Sequence, residues 1–125
     1  MGKPADPLCR AFQTAIDVLA RPWTGLILGL LHDGPLRFSE IEERARGVGA
    51  KTLSARLKEL EARRIIERHV EPGPPVRVQY TLTPSGRAFG QVGQAIEQWG
   101  RQLVVNEPAG SKPAARRTRR SSAGR

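Results

Sequence analysis

Apolar residues recur along the chain at two periods, and the switches between them mark the elements. Phe12, Ala15, Ile16 and Leu19 repeat at helical spacing and predict a first helix over residues 8–19. Pro22 restarts the chain in a position suited to a first helical turn. Trp23, Leu26, Ile27, Leu30 and Leu31 then form a strong apolar face, so a second helix is expected over 22–32. Asp33-Gly34-Pro35 has the chemistry of a turn, and Leu36-Arg37-Phe38 reads as short and extended. Ser39, followed by Glu40-Ile41-Glu42-Glu43, predicts an N-cap and a third, short helix that stops near Gly47 and Gly49.

The next segment, 50–61, is amphipathic. Leu53, Leu57 and Leu60 share one face, and Lys51, Ser54, Ala55 and Lys58 fall on the opposite one. After Arg63-Arg64 the period changes. Ile65, Ile66 and Val70 have strand character and lead to Pro72-Gly73-Pro74-Pro75. Val76, Val78, Tyr80 and Leu82 then alternate with Arg77, Gln79 and Thr81, which predicts a half-buried strand and, with the segment before it, a hairpin. Thr83 and Pro84 supply the cap and first position of a last helix, whose apolar residues Phe89, Val92, Ile96, Trp99 and Leu103 step by three and four. The fold class expected is mainly α with a small β-hairpin. It divides into a flexible N-terminus (1–7), one folded domain (8–106) and a basic tail (107–125).

Composition narrows the function. The chain has 125 residues and a net charge of +9, which points to a polyanionic partner. The charge is uneven. Residues 108–125 carry Lys112, Arg116, Arg117, Arg119, Arg120 and Arg125 and no acid. Removing those six leaves 15 basic against 12 acidic residues, a net of +3 for the rest. The tail has no large apolar residue and is expected to be disordered, serving either nonspecific phosphate contact or solubility alone. The one cysteine excludes an internal disulfide and fits a reducing cytoplasm. His32 and His69 stand apart, so no metal site is expected, and no cofactor. No apolar run is long enough for a membrane span. No catalytic constellation appears, which argues against an enzyme.

The order of elements carries the rest. Two short helices joined by Gly47-Val48-Gly49 form a helix-turn-helix layout, and the hairpin stands where a winged variant has its wing. The major groove of duplex DNA accepts a helix with small polar and basic side chains on its entering face, as Lys51, Thr52, Ser54, Ala55 and Lys58 provide. Arg56 lies near the edge of the leucine face, within reach of a phosphate at the groove rim. Arg77, with Arg68 and His69, is placed to meet the adjacent backbone. A second class of function is a sequence-tolerant nucleic-acid or nucleoid-associated binder driven by the tail.

In these stretches the sequence resembles the HxlR-type winged helix-turn-helix regulators, relatives of the MarR group. The resemblance is carried by Cys9, by Arg21-Pro22-Trp23-Thr24-Gly25-Leu26-Ile27-Leu28 and by Gly34-Pro35-Leu36-Arg37-Phe38-Ser39-Glu40-Ile41. It continues in the segments 52–61 and 76–86 and ends at Trp99-Gly100. The sequence departs from the family in Gly47-Val48-Gly49-Ala50, where members commonly carry an Ile and a Ser. The resemblance implies a cytoplasmic, DNA-binding homodimer that regulates transcription from a palindromic operator. It implies that the first and last helices form the two-fold interface, through Phe12, Ile16, Phe89, Val92, Ile96, Trp99 and Leu103. It implies that Lys51, Thr52, Ser54, Ala55, Arg56 and Lys58 match the recognition-helix positions. Several members sense oxidants or electrophiles through a cysteine at the place of Cys9. Here that residue opens a helix beside Arg10, surroundings that favour a thiolate.

Overall fold

A computed structural model describes residues 7–108, with side chains from residue 9. The expected tail, from residue 109 on, and the first six residues lie outside that range. Five helices and three strands follow in the order α1 (Pro7–Ala20), α2 (Thr24–His32), β1 (Leu36–Arg37), α3 (Phe38–Ala45), α4 (Ala50–Ala62), β2 (Ile66–Glu71), β3 (Arg77–Leu82) and α5 (Pro84–Val105). Pro7 thus belongs to a helix and not to a loose N-terminus.

The strands form one antiparallel sheet in the order β1-β3-β2. The hairpin expected from sequence is present, with Ile66 opposite Leu82 and Glu71 opposite Arg77. It gains a third strand, because Leu36 pairs with Tyr80 and Arg37 with Gln79. The extended reading of Leu36 and Arg37 thus holds, while Phe38, expected to continue it, instead opens α3. The half-buried reading of the hairpin holds for its inner part alone. Tyr80, Leu82 and Ile66 are buried, but Val70 and Val76 are 50% and 64% exposed, so the outer half of the ribbon projects from the body.

The core sits where α2, α3 and α4 converge on the inner face of the sheet. Ile27, Leu28 and Leu31 of α2 meet Ile41 and Ala45 of α3, Leu53, Leu57 and Leu60 of α4, and Ile66, Tyr80 and Leu82. Each fully buried Leu or Ile of this group contributes roughly 1.5–3 kcal/mol relative to exposure. Helix α5 adds only Phe89 at the margin of this cluster.

Two helix starts differ from the expectation. Helix α2 begins at Thr24, not Pro22, because Trp23 takes a left-handed conformation (φ 74°) that breaks the helical path. That conformation costs an L-residue roughly 1–2 kcal/mol. It turns the chain so that α1 and α2 meet at 89°. Helix α3 is capped by Arg37, not Ser39. The pairing of β1 holds Arg37 extended (φ −85°, ψ 162°), and its N–H donates to Glu40 Oε1 at 2.8 Å. The start of α5 is as expected. The Thr83 hydroxyl accepts the N–H of Gly86 at 3.1 Å, and Pro84 stands in the first turn.

Candidate nucleic-acid interface

Helix α4 is held by three leucines and presents its other side outward. Leu53, Leu57 and Leu60 are 0–2% exposed. Lys51, Ala55 and Lys58, at offsets of four and seven, form the open face. Thr52 and Ser54 are half-buried along its two edges. The turn into α4 passes through Arg46 (φ 46°) and Gly47 (φ 97°), two successive residues of positive φ, and buries Val48. Glycine at 47 meets that φ without a Cβ penalty, and the turn joins α3 to α4 in the helix-turn-helix order.

Arg56 does not stand at the rim as expected. Its guanidinium turns inward, with Nε donating to the carbonyl of Pro22 at 3.1 Å and Nη1 to Glu59 Oε1 at 2.8 Å. The side chain is 15% exposed. Glu59 Oε2 also accepts from Arg21 Nε at 2.9 Å. The Arg21 hydrogen bond is the main cause holding the Glu59 carboxyl below its ordinary pKa, against a smaller opposing effect of burial. Arg21 was not legible as a partner of Glu59 on α4, since 38 residues separate them. The sole signal was the spacing of Arg56 and Glu59, three apart on one helix.

The wing is less basic than a reading of Arg77 alone suggests. The register sets Arg77 opposite Glu71 and His69 opposite Gln79, all on one face of the ribbon. His69 Nε2 lies 3.1 Å from Thr81 Oγ1 and 3.3 Å from Glu67 Oε1 on that same face. Arg68, opposite Tyr80, belongs to the other face. Arg37 of β1, level with Gln79, extends the face that holds Arg77.

The expected interface residues divide in two. Phe12 and Ile16 on α1, and Val92, Ile96, Trp99 and Leu103 on α5, are exposed, with Phe12 and Trp99 at 61% and 62%. These form apolar stripes at helical spacing. Phe89 instead leans onto the core and lines an open groove of about 640 Å³ between α2 and α5. Cys9 is half-buried in the first turn of α1. Among the described residues there is no cluster of His, Cys, Asp and Glu that could hold a metal ion. No single described helix is long and apolar enough to cross a membrane.

An outward basic helix on a leucine base, behind a tight turn and beside a three-stranded wing, defines a winged helix-turn-helix DNA-binding regulator. The chain belongs to the HxlR-like helix-turn-helix family, whose model matches residues 18–108. It is 44% identical over 98 residues to the HTH-type transcriptional regulator YodB of Bacillus subtilis, covering 78% of this chain and 88% of that one. The reduced form of YodB superposes with a TM-score of 0.71 at 42% identity, over 82% of this chain and 94% of that one. The redox regulator HypR in its reduced form superposes with a TM-score of 0.68 at 29% identity, over 74% and 91%.

Proposed function

We propose that the protein is a homodimeric transcriptional regulator that reads a two-fold symmetric operator with α4 and responds to oxidants or electrophiles through Cys9. The observation that carries the DNA-reading part is the open Lys51–Ala55–Lys58 face over three buried leucines. Thr52 and Ser54 border that face and supply short polar groups for base edges. Lys51, Lys58 and Arg77 meet phosphates. A dimer is supported by the exposed stripes on α1 and α5, which are more apolar than a solvated helix face requires. Two-fold symmetry then sets two recognition helices about 34–36 Å apart. The protein acts by binding and not by catalysis, in the cytoplasm and on the chromosome. The basic tail adds attraction to any phosphate backbone.

Selection of duplexes from a random library by the full chain tests this reading. A two-fold symmetric consensus bound by two chains is expected. Lys51→Ala with Lys58→Ala should lower affinity for the selected duplex about tenfold or more. It should also reduce the slope of log affinity against log salt by roughly two, one per phosphate contact. Deleting residues 108–125 should weaken selected and random duplexes together and leave their ratio nearly intact. No consensus, or loss of the ratio with the tail, overturns the proposal in favour of a tail-driven binder.

The sensing role rests on the place of Cys9 in the first turn of α1 and on the likeness to HypR, a redox regulator. Treatment with diamide or a quinone is expected to lower the affinity of the wild type several-fold and to leave Cys9→Ser unmoved. An equal fall in both proteins removes Cys9 from the mechanism.

A further inference from the structure

Four groups meet where the corner between α1 and α2 touches the recognition helix. The Pro22 carbonyl accepts from Arg56 Nε at 3.1 Å, Arg56 Nη1 donates to Glu59 Oε1 at 2.8 Å, and Glu59 Oε2 accepts from Arg21 Nε at 2.9 Å. Two of these groups lie on α4 and two on the three-residue corner. Isolated exposed ion pairs contribute little, but this one differs in kind. Arg56 is shielded at 15% exposure, and its planar fork spends two donors in fixed directions on a carbonyl and a carboxylate.

The corner needs such a hold. Trp23 sits in the left-handed region, a state that persists only where the surroundings enforce it. The 89° angle between α1 and α2 depends on it. Helix α1 cannot set its own direction by burial. From residue 9 on it offers the core only Val18 as a packed neighbour, and Phe12 and Ile16 face outward. Its direction relative to the body is therefore decided at residues 21–23, where Arg56 and Glu59 bind.

We infer that the Arg21–Glu59–Arg56 bridge to the Pro22 carbonyl is a positioning device that locks the direction of α1 to that of the recognition helix. It thereby sets the spacing and angle of the two recognition helices in a dimer. Glu59 and Arg21 act through the helices they join and do not touch DNA. The inference rests on the proposed dimer and its use of α1. It assigns to an acidic residue on a DNA-facing helix a favourable part in operator recognition, where charge alone predicts the reverse.

The test uses the full chain and a duplex selected by the wild type. Two further probes derive from it: one with a half-site scrambled, and one with two base pairs inserted between the half-sites. The insertion separates and rotates the halves, so the wild type is expected to bind the lengthened duplex about tenfold or more weakly. In Arg21→Ala/Glu59→Gln the inference expects that preference to shrink to about threefold or less. Affinity for the half-site duplex should stay within about twofold of wild type. The exposed position of Arg21 (55%) makes folding of the variant expected, and its melting temperature is measured alongside. A wild-type spacing preference in the variant overturns the inference. So does an equal loss on half-site and full duplex, which would mark a contact role, or an equal gain on all three, which would mark the local loss of the Glu59 carboxylate beside DNA, since the two substitutions together leave the net charge unchanged. A wild type that selects no symmetric duplex is a failure of the dimer reading, separate from these outcomes.

Discussion

Leu53→Ala is expected to destabilise the folded domain by about 2–5 kcal/mol, read as a fall in denaturant midpoint with unchanged slope. Leu53 is fully buried at the first turn of α4, where it seats the N-terminal end of that helix on the core. Truncation removes the transfer energy of the side chain and leaves a cavity that the leucines one and two turns on cannot fill. Domains of this size hold only about 5–15 kcal/mol in total, so one residue decides a large share. The neighbour Ser54 serves as the control. Ser54→Ala, half-buried at the edge of the open face, should move stability by less than about 0.5 kcal/mol. A Leu53→Ala protein as stable as the wild type would show that α4 is not anchored there.

Gly86→Ala is expected to be nearly as costly, for the opposite reason. An added Cβ at this position would lie 2.3 Å from the carbonyl oxygen of Ile65 and 2.9 Å from Leu82 Cδ2. The first is backbone, so it cannot step aside cheaply. The same carbonyl accepts the Thr83 N–H at 3.0 Å, and the Thr83 hydroxyl donates to the carbonyl of Arg64 at 2.7 Å. Displacing Ile65 therefore disturbs the cap of α5, the entry to β2 and the exit from α4 together. Overpacking of this kind costs roughly 1–3 kcal/mol, and occasionally more. A lost cap adds about 1 kcal/mol. Thermal unfolding checks it. A melting temperature within a degree of wild type would mean that α5 can shift without penalty. Gly100→Ala, where nothing lies near the added Cβ, should be neutral or slightly stabilising through helix propensity.

The contrast between α4 and its surroundings shows which parts were legible beforehand. Leu53, Leu57 and Leu60 announce their face because a helix repeats its geometry every turn, and Thr83-Pro84 announces a start because capping is local. Leu36 and Arg37 read as short and extended, but their pairing could not be read, since it is made with Tyr80 and Gln79, some forty residues on. The same limit misled the reading of Arg56. Its place at the edge of the leucine face was right, but the direction of the guanidinium is set by Pro22 and Glu59. The wheel shows Glu59 but cannot show the Pro22 carbonyl. Trp23 in the left-handed region is the least legible feature of all, because a bulky residue has no local preference for it.

The sheet order also leaves two unequal borders. β1 covers only two residues of β3, while β2, six residues long, runs along the outside with one row of backbone groups unmatched. A bare strand of that length is a template for adding another chain. Here Glu67, Arg68, His69 and Glu71 fill it with mixed charge, and Pro72 ends it. A second ribbon in register would bring like charges together and meet a residue without an N–H. The projecting wing can thus remain open to solvent at high local concentration without seeding a growing sheet.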